Sequence, residues 1–381
     1  SATRSDIAIT DPDFKYPSLW KSNIAADYKF GDGWVATIEL LYSKDINAIY
    51  HDNIGLYRTE QFVNDGGAGN ARPYYNGYYS DREGNQKAAN HVVMLRNTSK
   101  GHSLYTTFQL QKNFVDGILK GLYLNGSYSF GQSRGVTDGT SSVATSAWKY
   151  RAALDGNAEE VGYTAGSFDG RLLLSASYTA NWSKYAATSF GLIYQRYRPF
   201  RYSYCYNGDA NGDSQFSNDL MYIPANFDEV KDHLLPGDFD SQEDAWKAMN
   251  AFIEQDPYLS KHRGEYAERN GAVAPFANQL DLSVSHDIKI YQKNGRSHTL
   301  RFSFNIANFL NLLNRNWGVV QTTVLGNQQY QFLTIPKGQG PSAANNYTLK
   351  YTMAKDLDET FKDNLNDVSR WQVQFGIKYI F

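Results

Sequence analysis

The densest set of potential cation ligands lies in one short stretch, Asn207-Gly208-Asp209-Ala210-Asn211-Gly212-Asp213-Ser214-Gln215, followed by Asn218-Asp219. Side-chain oxygens at alternate positions, with glycine permitting a tight turn, are how a calcium loop wraps a hard cation. Asp209, Asn211 and Asp213 are therefore the candidate Ca2+ ligands, within an expected binding loop 205–224. A full EF-hand pattern also needs an acid at its twelfth position. Counting from Asp209 that position is Leu220, and from Asn207 it is Asn218. Asp219 falls between the two registers, and no Glu closes the site. Asn, Asp and Gly also fill ordinary solvated turns, so a loop that holds no ion is the competing reading.

Other constellations point to structure. His262 and Glu265 sit near Asp256, but no nucleophile or third ligand accompanies them at a useful spacing. Lys261, Arg263, Glu265, Glu268 and Arg269 read as a salt-bridged loop strand, and the chain is not expected to be an enzyme. Residues 241–255 read as a helix: Ser241 can cap it, Asp244 takes the capping-box position, and Ala245, Ala248, Met249, Phe252 and Ile253 follow at helical spacing. Pro257 stops it, and its apolar stripe is expected to pack on the surrounding loop. Tyr194, Tyr197, Phe200, Tyr202, Tyr204 and Tyr206 form an aromatic run that could stack on sugars or peptides, or stiffen a hairpin.

These residues must be carried by strands. Aromatic residues make up 15% of the 381, with 29 Tyr and 21 Phe, yet mean hydropathy is only -0.55. No apolar run of the roughly 18 residues that a membrane helix needs occurs. Barrel strands, in contrast, give only a weak hydropathy signal because alternate residues face the lumen. A net charge of -2 leaves no footprint for nucleic acid, and one cysteine, Cys205, excludes a disulfide framework and a multi-Cys zinc site.

Period-2 alternation recurs from end to end. Leu300, Phe302, Phe304 and Ile306 oppose Thr299, Arg301, Ser303 and Asn305; Trp371, Val373, Phe375, Ile377, Tyr379 and Phe381 oppose Arg370, Gln372, Gln374 and Lys378. Similar patterns lie at 23–30, 34–44, 104–114, 122–130, 172–182, 189–196 and 280–290, about nine strands in all. Short turns at Gly31-Asp32-Gly33, Val115-Asp116-Gly117, Ser183-Lys184-Tyr185 and 292–296 alternate with long loops near 51–102, 135–168, 205–275 and 312–366. Such loops are uncommon in compact soluble domains. Short turns at one end and long loops at the other are the habit of transmembrane barrels, whose long loops lie outside the cell. The expected fold is all-β: an antiparallel transmembrane β-barrel, of which these strands form the carboxy-terminal portion. An odd strand count puts residues 1–22 in an extracellular loop and 23–381 in a carboxy-terminal barrel segment, so the chain is expected to be part of a larger barrel.

Three segments carry a family resemblance: Asp11-Pro12-Asp13-Phe14-Lys15-Tyr16-Pro17-Ser18-Leu19-Trp20-Lys21-Ser22-Asn23 leading to Leu41-Tyr42-Ser43-Lys44-Asp45-Ile46-Asn47-Ala48; Glu254-Gln255-Asp256-Pro257-Tyr258-Leu259-Ser260-Lys261-His262-Arg263-Gly264-Glu265-Tyr266-Ala267-Glu268-Arg269-Asn270-Gly271; and the terminal Trp371–Phe381. Together they resemble the barrel of Oar-like TonB-dependent outer-membrane receptors. The resemblance implies the last strands of a 22-stranded, plugged barrel that moves a substrate across the Gram-negative outer membrane. It also implies dependence on TonB through an amino-terminal part, contact with outer-membrane lipid, and insertion by the barrel-assembly machinery. That machinery would read Phe375, Ile377, Tyr379 and Phe381 as its signal. On this resemblance the plug and the TonB box are expected to lie in an amino-terminal part and not in these residues. A self-contained porin or adhesin barrel is the alternative.

Overall fold

A computed structural model describes residues 6–67, 71–78, 91–139, 141–291, 297–325 and 329–381. Nine long strands form one antiparallel sheet in which sequence neighbours are also spatial neighbours, and a two-residue tenth, Gly162–Tyr163, pairs with the end of Leu122–Gly135. The nine are β1 Leu19–Phe30, β2 Trp34–Asp45, β3 His102–Asn113, β4 Leu122–Gly135, β5 Arg171–Ser183, β6 Ala186–Tyr197, β7 Ala277–Tyr291, β8 Ser297–Ala307 and β9 Gln372–Ile380. Every alternating segment of the sequence is one of these strands. The first starts at Leu19, so the segment 1–22 contributes its last residues to the sheet.

The pairing register keeps each apolar set on one face, because a one-residue slip would invert every side chain. One row across the sheet reads Tyr178, Phe190, Val284, Phe304, Phe375, and another reads Ala26, Ile38, Phe108, Tyr128, Leu172. Phe302 stands opposite Ile377, so the even residues of β8 and the odd residues of β9 share this face. The other face is polar and stitched across strands: Gln109 to Asn125 at 2.6 Å, Gln195 to Gln279 at 2.9 Å, Ser283 to Asn305 at 2.7 Å. Arg301 donates from Nε and Nη2 to the two oxygens of Asp287 at 2.6 and 2.8 Å.

The strand connections divide by end. Tight turns join β1 to β2 and β5 to β6, and a short link joins β3 to β4. Gly33 takes φ +81°, and a Cβ there would meet the Asn113 carbonyl oxygen at 2.6 Å, so the first turn requires glycine. The expected turn at 292–296 lies outside the described residues. At the opposite end emerge the four long connections 46–101, 136–170, 198–276 and 308–371. They contain short strands of their own and fold together into a cap. Arg201–Asn207 pairs in parallel with Gln329–Thr334, and Val92–Thr98 lies between Ile7–Thr10 and Ala48–Asn53.

The main hydrophobic core lies inside this cap and draws on all four connections: Val63, Ala152, Tyr204 and Phe252, and Tyr330 with Phe332. The helix Gln242–Gln255 forms where expected, with the Ser241 hydroxyl accepting from the Asp244 amide at 3.1 Å. Its buried Ala245, Met249, Phe252 and Ile253 face that core, and the Phe252 ring lies 4.8 Å from Phe332. Many of the sheet's large apolar residues stay uncovered by protein, most of all on the edge strands, where Ile24 is 70% exposed, Ile377 74% and Phe375 78%, while Ile306 is buried.

Candidate metal centre

The strand Arg201–Asn207 runs into the cap and ends at the acidic loop. Asp209 turns its carboxylate back on the loop and accepts backbone N–H groups from Asn211 at 3.2 Å, Gly212 at 2.6 Å and Ser214 at 2.8 Å. Gly212 sits at φ +83° with the Tyr75 carbonyl against its α-carbon, so any side chain there would collide with that oxygen. The Gly208 amide bonds the Phe216 carbonyl at 2.9 Å and closes the turn. That closure brings Asp219 back beside Asp209 and Asp213, and one oxygen from each of the three lies within 4.8 Å of the others.

The structure thus adds a carboxylate to the expected set. Asp209 and Asp213 converge as expected. The Asn211 oxygen accepts the Asp213 amide at 2.9 Å and its Nδ2 reaches Asp213 at 3.4 Å, while Asp213 accepts the Gln215 amide at 2.8 Å and Asp219 the Ala210 amide at 2.9 Å. The third carboxylate is Asp219, which the EF-hand count had left out of register. Asn218 is buried beside Asp213, whose charged form its amide favours, while its Oδ1 has no partner.

Around the triad the charge is unbalanced. Arg72, fully buried, donates to Asp65 at 3.0 Å and to Asp219 at 3.1 Å, and also reaches the Leu220 carbonyl. Its guanidinium lies between the rings of Tyr206 and Tyr266, 5.6 and 5.7 Å from their centres. Tyr266 donates to the second Asp65 oxygen at 2.7 Å. Asp209 and Asp213 have no cationic partner among the described residues. Burial, reinforced by the Asp209 charge, pushes Asp213 up to about 7. Burial likewise raises Asp209 and, with the Asp213 charge, raises Asp219 despite Arg72.

Three long connections meet here. The Tyr75 amide bonds the Asn211 carbonyl at 2.7 Å, the Ala153 amide bonds the Asn218 carbonyl at 2.9 Å, and the Leu220 amide returns to Ala153 at 3.1 Å.

The remaining candidates fall elsewhere. Asp256 is fully buried and accepts the hydroxyls of Tyr204 and Thr360 at 2.6 and 2.7 Å, so it organises the cap core. His262 stacks on Tyr258 with ring centres 4.1 Å apart, and Glu265 is exposed in a short strand. Of the aromatic run, Tyr202, Tyr204 and Tyr206 are buried in the core, where no sugar could reach them. Phe375, Ile377, Tyr379 and Phe381 project from the sheet edge and are all exposed. Comparison with known proteins identifies no relative: no family model, curated protein or solved structure matches the chain.

Proposed function

We propose that the nine strands are part of an outer-membrane β-barrel, the carboxy-terminal segment of an Oar-like TonB-dependent transporter, with the cap outside the cell. One observation carries the reading. The chain buries its apolar residues in the cap while presenting a continuous apolar face along nine strands. Monomers in water usually keep exposed apolar patches to a few hundred Å2, which disfavours leaving such a face in water. In a bilayer it is what strands need, and the hydrogen-bonded polar face would line the lumen. Unpaired strand edges are not tolerated in hydrocarbon, so β1 and β9 would pair with further strands of the same barrel. The all-oxygen centre and the family resemblance add no catalytic role, and the chain is taken as a transport component with lipid, the assembly machinery and TonB as partners.

Lipids with brominated acyl chains test the membrane placement. Single-tryptophan forms of the reconstituted protein should lose emission from Trp34, half-buried, and Trp182, exposed, both at strand ends, and keep it from Trp148, buried in the cap. Equal quenching at all three would remove the barrel reading. Collapse of the inner-membrane proton gradient then separates the alternatives. Uptake by the protein that carries this segment should stop if it is TonB-dependent and continue if it is a porin.

A further inference from the structure

We propose that Asp209, Asp213, Asp219 and the side-chain oxygen of Asn218 form a calcium site that ties three of the long connections together. The inference stands apart from the barrel reading, because it concerns the cap alone.

The first support is the spacing. Three carboxylate oxygens lie within 4.8 Å of one another. Oxygens on one calcium ion, each at about 2.3–2.6 Å, lie at most roughly 4.6–5.2 Å apart, so a single ion of that size can reach all three. All the donors are oxygen, which suits a hard cation rather than a transition metal.

The second is Asn218, which is 1% exposed and has an oxygen without a partner. Buried amide oxygens are rarely left so. The Asn218 amide lies beside Asp213 and favours its charged form, as a donating Nδ2 does. Turning the amide over would aim Oδ1 at the carboxylates, which is repulsive until a cation lies between them. With calcium there, the orphaned oxygen gains a partner as a ligand.

The third is charge. Arg72 serves Asp65 and Asp219, and no cation serves Asp209 or Asp213 among the described residues. Buried carboxylates in that position must take up protons or a metal. A bound ion would hold the turn against the strand ending at Asn207. Through the Tyr75–Asn211 and Ala153–Asn218 hydrogen bonds it would also hold the first and second connections.

Terbium, a luminescent substitute for calcium, provides the test on the intact folded chain after chelator treatment at about pH 7.5. A Cβ on Gly156 would lie 3.5 Å from Trp148 Nε1 and 3.6 Å from Asp213 Oδ2, so indole and carboxylate are close enough for sensitised emission. Excitation of tryptophan should give a saturable signal that calcium displaces and magnesium displaces at least about tenfold less effectively. Asp213→Asn should abolish the signal, and Asn218→Ala should weaken calcium at least about tenfold, with unchanged circular dichroism. Asn218→Asp, which keeps an oxygen at the same reach, should retain binding and covers the case in which the alanine variant fails to fold. No saturable signal from the folded wild type would overturn the proposal, as would undiminished binding by folded Asp213→Asn. Undiminished binding by folded Asn218→Ala would overturn the role given to Asn218. The readout needs no bilayer, so its failure leaves the barrel reading untouched, and the converse holds.

Discussion

Arg72 and Asp219, 147 residues apart in the chain, meet at 3.1 Å in the interior of the cap. The guanidinium also holds Asp65, so one cation neutralises two carboxylates from different connections. Removing one partner of a buried pair typically costs about 3–5 kcal/mol, because the other charge stays buried without it. Arg72→Met should therefore lower cap stability by about that much in urea unfolding followed by near-ultraviolet circular dichroism. A second substitution, Asp219→Asn, should restore part of the loss. A change below about 1 kcal/mol would mean that the pair is not structural.

The shared face of β8 and β9 gives a paired test in the membrane. Phe302 lies on the apolar face opposite Ile377, and Ser303 on the polar face opposite Gly376. A lysine facing lipid at the bilayer midplane costs about 2–4 kcal/mol. Phe302→Lys should reduce the folded fraction recovered from outer membranes, whereas Ser303→Lys should leave it near wild type. Equal tolerance at the two positions would sink the lipid-facing assignment.

Asp213 makes cap stability depend on pH. Its folded value, about 7, lies above its unfolded value of about 3.9, so the protonated form is the one that the fold favours. That contribution is fully present below about pH 3.9 and is lost as pH rises through about 7. Asp209, Asp219 and Arg72 surround it, and the two carboxylates outweigh the one guanidinium. In calcium-free buffer, thermal unfolding of the cap should therefore move to lower temperature between about pH 5.5 and about 8. Asp213→Asn should flatten the slope, and saturating calcium should reverse it by replacing the protons. An unchanged slope in Asp213→Asn would rule out this group as the source.

Cys205 offers a simple check on cap packing. It is fully buried, and burial pushes its thiol well above the ordinary range, aided by Asp219 and opposed by Arg72. The native chain should not react with a thiol reagent over an hour at about pH 8, and the urea-unfolded chain should react at once. Rapid native labelling would mean that the cap opens far more readily than its core suggests.

The strands were legible because alternation is local: Leu300 to Ile306 shows its two faces without help from any other segment. The helix Gln242–Gln255 was legible for the same reason, since cap, period and stop lie within a few residues of one another. The cap core was not. Tyr202, Tyr204 and Tyr206 alternate with other residues as a strand should, but what covers them comes from Phe252, Tyr330 and Tyr351, far along the chain. The acidic cluster was half legible. Asp209 and Asp213 stand out by spacing, whereas Asp219 enters through a turn with Ser214 at φ 68°, a conformation that no spacing rule for EF-hands encodes. Arg72 carried no sequence mark at all, because its partners are defined only in three dimensions. An acid a few residues beyond an Asp/Asn/Gly cluster, taken without insisting on register, would have pointed to Asp219.

The way the cap is sourced also bears on how the chain folds. The sheet is a meander in which each strand pairs with its neighbours in sequence, so its hairpins, such as β1–β2 and β5–β6, close over short turns, while the pairings between hairpins wait on the long connections. The cap joins Asn64 to Thr348, Arg72 to Asp219 and Ser203 to Gln329, contacts of very high sequence separation. Contact order of that kind slows folding, because the entropy of closing each loop is lost before the contact forms. The strands bring the four connections out at one end of the sheet, which shortens the search. Pulsed hydrogen exchange during refolding should accordingly protect β5 and β6 before Tyr204 or Phe332, making the cap the last part of the chain to lock.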